Sequence, residues 1–126
     1  MHIKCIERCK AKKIKFLSSP FSISDIKYLK SLKQNTFKIP SGEITNYPYL
    51  EYIGSLNKKI ILSTGMSNSK EISNAIKILL KNGTKKRNIT LLHCNSAYPT
   101  PFSDVNLNSI TFLRKKFSLN VGISDH

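Results

Sequence analysis

Short apolar runs alternate along the chain with longer stretches in which apolar residues recur every three or four positions. The runs are "IKFLS" at 14–18, "FKI" at 37–39, "KIILS" at 59–63, "ITLLHC" at 89–94 and "NVGIS" at 120–124. Short runs rich in Ile, Leu, Val and Phe suit parallel strands covered on both faces. Between them, Ile26, Leu29 and Leu32 form one helical stripe, and Leu50, Ile53 and Leu56 a second. Ile72, Ile76, Leu79 and Leu80 form a third, and Leu107, Ile110, Leu113 and Phe117 a fourth. Each stripe predicts an amphipathic helix with one face toward a core. The opening "HIKCIERCKAKK" predicts a fifth helix with Ile3 and Ile6 inward.

Punctuation supports these elements. Ser69 before "KEI" and Asn82-Gly83 after "LLK" are an expected N-cap and C-cap for one helix, and Asp104 is an expected cap for the next. No linker or low-complexity tract interrupts the pattern, so residues 1–126 are expected to form one α/β array of five parallel strands. Such an array suits an open doubly wound sheet or an arc of a (β/α)₈ barrel, whose full length is about 250 residues. Periodicity does not choose between them. Neither GxGxxG nor GxxxxGK[ST] follows any strand, which removes the two most recognisable nucleotide-binding open sheets.

Length and composition narrow the class. A chain of 126 residues with 40% hydrophobic content is expected to be a soluble globular domain. It has no apolar run long enough to span a membrane, and its N-terminus is too polar for a signal peptide, so a cytoplasmic location is expected. The net charge of +14 raises the question of nucleic acid. The cations, among them Lys27, Lys30, Lys70, Lys77, Lys81 and Lys115, are spread over separate helix faces, so no nucleic-acid partner is expected. Cys5, Cys9 and Cys94 lack metal or redox spacing and are expected to be reduced and structural.

In parallel sheets and barrels, ligands bind beyond the carboxyl ends of the strands. Those ends read "SSPF", "PSGE", "STGM", "HCNSAYPTP" and "SDH". A single serine here is ordinarily a helix cap. Hydroxyls repeated around one rim make a concave set of donors for phosphate or carboxylate. Lys38 lies between Phe37 and Ile39; if those face the helices, alternation turns Lys38 into the opposite side, where an ammonium needs an anion. The competing reading is a lysine reaching out from an edge strand. Glu43, one of seven acids, lies in the loop above, either paired with Lys38 or acting as an acid–base group. His126, beside Asp125 at the last strand end, has the character of a metal ligand with an oriented ring, although one histidine is not a site. His93, inside an apolar run, is expected in the core, and His2 in solvent.

The segments "FLSSPF", "FKIPSGEITNYPYL", "IILSTGM", "ITLLHCNSAYPTP", "DVNL" and "VGISDH", in this order, closely resemble the N-acetylneuraminate (sialic acid) synthase family, which includes the legionaminic acid synthases. The resemblance implies a partial (β/α)₈ TIM barrel, about strands three to seven, without the family's antifreeze-like C-terminal domain. It implies condensation of phosphoenolpyruvate with a 2-acetamido hexose, N-acetylmannosamine or a related 6-deoxy diacetamido sugar, to a nine-carbon 2-keto acid and phosphate. By match to the motifs, Ser19, Lys38, Ser41, Ser63 and Ser124 would hold the phosphoenolpyruvate, Glu43 would be the acid–base group, and Tyr98 would lie against the acetamido group. His126 would be one of two histidine ligands to a divalent metal of the Mn²⁺ type, the second belonging to strand eight. Ser96 and Pro40 stand where some members carry asparagine and glycine, which leaves the acceptor sugar open. The resemblance implies homodimers for the full-length members, and this chain is expected to be inactive by itself.

Overall fold

The computed structural model describes all residues, 1–126. Its helices are α1 (His2–Ala11), α2 (Ile23–Ser31), α3 (Tyr47–Ser55), α4 (Ser69–Lys81) and α5 (Asn108–Phe117), and its strands are β1 (Thr36–Ile39), β2 (Lys59–Ser63), β3 (Ile89–Cys94) and β4 (Asn120–Ser124). The strands form one parallel sheet in the order β1-β2-β3-β4. Each strand therefore neighbours the next in sequence, and every crossover carries a helix on the same side, as in a barrel wall.

Side-chain alternation divides the sheet. Phe37 and Ile39, Ile60 and Leu62, and Ile89 and Leu91 are buried at 1% exposure or less, beneath the helices. They join Ile26, Leu29, Leu50, Ile53, Ile72, Ile76, Leu79 and Leu113 in one core. Each fully buried aliphatic or aromatic side chain contributes about 1.5–3 kcal/mol. The opposite face carries Lys38, Ile61 and Thr90 in one register row, which is the barrel-interior side. Gly54 permits the close approach of α3 to α4: a Cβ there would lie 3.3 Å from the Leu79 backbone.

Several expectations are corrected. Residues 14–18 are not a strand, so the sheet has four strands rather than five. The side-chain amide of buried Gln34 occupies this segment's backbone groups, accepting from Ser18 N–H at 3.1 Å and donating to Ser18 C=O at 2.8 Å. The segment is thus held to the sheet margin by a side chain instead of a ladder, and Ile14 and Leu17 stay exposed. Helix α1 forms but buries no residue, and Ile3 is 61% exposed rather than inward. His2 is half-buried, edge-on to Phe16 and Tyr28, rather than free in solvent.

Two caps also move. The N-cap of α4 is Asn68, whose side chain accepts from Lys70 and Glu71 N–H while the Glu71 carboxylate accepts from Asn68 N–H. Asp104 ends a 3₁₀ turn, and α5 starts after Leu107 with no side-chain cap. Of the apolar set assigned to α5 only Leu113 is buried, and Leu107 is 57% exposed.

Candidate functional site

The carboxyl ends of the four strands, together with the segment that leads into α2, enclose a cavity of about 280 Å³. Its lining includes Ser19, Lys38, Ser41, Ser63, Tyr98, Ser124 and His126, so seven of the eight residues singled out in the sequence meet in one bowl. The eighth, Glu43, does not line it; its carboxylate accepts a hydrogen bond from Asn46 Nδ2 at 2.7 Å. Phe21, Met66, Cys94, Asn95 and Ser96 complete much of the wall. No carboxylate lines the bowl, and Lys38 is its only Lys or Arg.

Each functional side chain is positioned by a local cause. Lys38 is the inward residue of β1, between two buried neighbours, and its Nζ donates to Ser124 Oγ at 3.5 Å. Ser41 opens the 3₁₀ turn that Pro40 starts, and its Oγ accepts from Gly65 N–H at 3.0 Å. Ser63 ends β2 at 3% exposure, and its Oγ has no hydrogen-bond partner. Buried polar atoms are almost always paired. Ser19 is placed indirectly: Tyr49 of α3 is 1% exposed and donates its hydroxyl to the carbonyl of buried Pro20 at 3.0 Å. Burial, reinforced by the charges of Glu43 and Asp25, pushes the Tyr49 phenol above its usual range, so it remains a donor. The same loop enters α2 through Ser22, which accepts from Asp25 N–H, while Asp25 accepts from Phe21 N–H.

The histidine end of the bowl is ordered by its own contacts. His126 stacks on Tyr98 with centroids 4.1 Å apart. Its Nδ1 lies 3.2 Å from the Asn95 carbonyl, so Nδ1 carries the proton in the neutral ring and Nε2 is the acceptor. Nε2 sits 3.1 Å from Ser124 Oγ and 3.2 Å from the Tyr98 hydroxyl. The ring is thus oriented by a backbone carbonyl rather than by Asp125, whose carboxylate accepts from the His126 backbone N–H. His93 is half-buried rather than a core residue. The donor set does not make a metal site within this chain: no three His, Cys, Asp or Glu side chains converge. His126 is oriented as a metal ligand would be, but one ligand does not hold an ion.

Sequence reasoning missed Gln34, Tyr49 and Asn95, because each acts through a backbone group distant in sequence. Cys94 was assigned a structural role; all three cysteines are free, and Cys94 is buried in the cavity wall. No helix is long and apolar enough to cross a membrane.

Sheet order, helix placement and the bowl at the strand ends define the class: an arc of a parallel (β/α)₈ barrel with its candidate site at the carboxyl-end rim. The family model described as the NeuB family matches residues 1–126, and the chain belongs to that family. It is 54% identical over 125 residues to an N,N'-diacetyllegionaminic acid synthase of Campylobacter jejuni, covering 99% of this chain and 37% of that protein. It is 42% identical to the Legionella pneumophila enzyme of the same name, over 90% of this chain and 32% of the relative. The chain therefore spans about a third of the length of these relatives.

Solved structures agree. The sialic acid synthetase of Leptospira borgpetersenii, determined in complex with citrate, matches with a TM-score of 0.93 at 34% identity, over 99% of this chain and 43% of that one. The Bacillus subtilis spore coat polysaccharide biosynthesis protein SpsE also gives 0.93, at 30% identity, over 98% and 34% of the two chains. A Thermotoga maritima phospho-2-dehydro-3-deoxyheptonate aldolase matches at a TM-score of 0.77 and 16% identity, covering 93% of this chain and 34% of that one; this shows the shared fold alone.

Proposed function

We propose that this chain forms the phosphoenolpyruvate-binding part of a nonulosonic acid synthase barrel, which joins phosphoenolpyruvate to an N-acetylated hexose in sialic or legionaminic acid biosynthesis. The observation that carries the reading is Ser63 Oγ, buried and unpartnered in the wall of a bowl whose only Lys or Arg is Lys38. Desolvating a hydroxyl without a partner is unfavourable, and an oxyanion beside the lysine supplies the missing acceptor.

In this reading Lys38, Ser63, Ser41 and Ser19 hold the phosphate and carboxylate oxygens, and Ser124 extends the set toward His126. Tyr98, 74% exposed at the mouth, offers a ring face and a hydroxyl to the acetamido group of the acceptor. The conversion balances with one water: the methylene carbon of the enol phosphate bonds to the aldehyde carbon, water supplies one oxygen, and phosphate leaves. Three carbons and six make the nine-carbon 2-keto acid. Glu43 carries the acid–base assignment, for which it must leave Asn46 and turn toward the bowl. The metal assigned to the family would supply Lewis-acid chemistry at the aldehyde oxygen, and this chain offers it His126 alone.

A second reading, an anion-binding segment without turnover, is favoured by the position of Glu43 outside the bowl. Calorimetric titration of this chain with phosphoenolpyruvate, followed by a phosphate-release assay with Mn²⁺ and N-acetylmannosamine or a 6-deoxy diacetamido hexose on a barrel completed with the remaining two thirds of the family's length, separates the two. Binding with acceptor-dependent phosphate release supports the synthase, binding alone supports the second reading, and absence of binding overturns both.

A further inference from the structure

Ser41 is held from two sides by groups that bear on which way its hydroxyl points. Its Oγ accepts from Gly65 N–H at 3.0 Å and lies 3.3 Å from Cys94 Sγ. A serine hydroxyl has one hydrogen to give and two lone pairs to receive with. Gly65 fills one lone pair. If the Cys94 thiol donates to the other, the Ser41 O–H is left to point into the bowl. If Ser41 instead donates to sulfur, it turns only a lone pair toward the cavity, which repels an oxyanion.

We propose that Cys94 is a positioning residue whose S–H fills the second acceptor site of Ser41, making Ser41 a dedicated hydrogen-bond donor to the oxyanion in the bowl. The inference rests on the phosphoenolpyruvate-binding reading above and assigns a role to a thiol that the reading does not use. A second observation points to the same ligand: Ser63 Oγ, 3% exposed and unpartnered, lines the same cavity. Lys38 lines the same cavity and draws an anion into it, and an anion accepts hydrogens rather than facing lone pairs.

Gly65 sets the steric condition for this arrangement. It is not among the residues with positive φ, so its backbone does not demand glycine. Space does: a Cβ there would lie 2.9 Å from Ser41 Oγ and 3.3 Å from Cys94 Sγ, closer to the oxygen than real Cβ atoms come. An alanine would therefore push the Ser41 hydroxyl away from both of its partners.

The test is calorimetric titration of phosphoenolpyruvate into the wild-type chain and into Ser41→Ala, Cys94→Ala, Cys94→Ser, Gly65→Ala and the Ser41→Ala/Cys94→Ala pair, with thermal melts alongside. Cys94→Ala is expected to weaken binding about fivefold, the scale of one neutral hydrogen bond, with little change in melting temperature. Cys94→Ser, which retains a donor, is expected to restore it, and Gly65→Ala to resemble Ser41→Ala. In the Ser41→Ala background the cysteine substitution should add nothing, since its effect passes through that hydroxyl. Wild-type affinity in Cys94→Ala, failure of Cys94→Ser to rescue, or full additivity in the pair overturns the proposal while leaving the binding reading intact. No binding by the wild-type chain overturns the reading itself, and the proposal with it.

Discussion

Lys38 Nζ and Ser124 Oγ stand 3.5 Å apart although they belong to β1 and β4, the first and last strands of the sheet. In a flat four-stranded sheet those strands would be about 14 Å apart, at about 4.8 Å per step, beyond the reach of a lysine and a serine together. The sheet must therefore curl, with the interior face of Lys38 on its concave side. That curvature brings serines from separate loops to one lysine, and it distinguishes a barrel arc from an open doubly wound sheet.

Adjacent residues on β1 should separate folding from binding. Phe37 is fully buried among the helices, whereas Lys38 faces the bowl. Phe37→Ala is expected to cost about 3–5 kcal/mol of stability through cavity formation. Lys38→Met should keep the fold and weaken phosphoenolpyruvate binding about ten- to hundredfold, the scale of a charge-assisted hydrogen bond. Thermal melts and calorimetry on both variants decide this, and unchanged affinity in Lys38→Met removes the lysine from the site.

This contrast also marks what the sequence could tell. Alternation over three residues, Phe37-Lys38-Ile39, predicted the two faces of β1 because a strand's period is two and the core side is strongly apolar. The repeated serines at strand ends were legible for the same reason, since each follows an apolar run. The run at 14–18 has the same composition, yet Gln34 of a different segment takes its backbone groups. A side chain imitating a ladder leaves no local signal. The orientation of His126 by the Asn95 carbonyl was hidden likewise, because a main-chain acceptor can belong to any residue.

Ser63 should behave as a residue kept for binding at some expense to the fold. Its hydroxyl is buried without a partner, so Ser63→Ala removes an unsatisfied group. The melting temperature of the ligand-free variant is expected to equal or exceed that of the wild type. Its affinity for phosphoenolpyruvate should fall about tenfold, the scale of a hydrogen bond to a charged group. A variant both less stable and undiminished in affinity would show that Ser63 is only structural.

Tyr49 links the helical layer to the loop that carries Ser19. Tyr49→Phe should lose about 1 kcal/mol by deleting the hydroxyl bond to Pro20. The alkaline limb of stability gives a sharper test. The phenol's pKa is raised in the folded chain, so its contribution is fully present below the unfolded value of about 10 and is lost as pH rises beyond it. Wild-type stability should therefore fall above about pH 10, and Tyr49→Phe should fall less over that range. Equal alkaline slopes in denaturant titrations would show that the phenol is not the group concerned.

Asp25 gives the opposite sign. The nearby Ser22 hydroxyl and the hydrogen bond from Phe21 N–H favour its ionised carboxylate and hold its pKa below the usual carboxylate value. The stabilisation is thus complete above the unfolded pKa of about 3.9 and is lost as pH falls through the lower folded value. What loosens there is specific: Asp25 accepts from Phe21 N–H, and Phe21 and Ser19 line the bowl. The protection of the Phe21 amide, measured by NMR as its exchange rate relative to the intrinsic rate at the same pH, is expected to fall in the wild type as Asp25 protonates. Asp25→Asn should show weak protection of that amide already at neutral pH. Exchange at Phe21 that is slow at neutral pH in Asp25→Asn would mean that something other than this carboxylate fixes the loop.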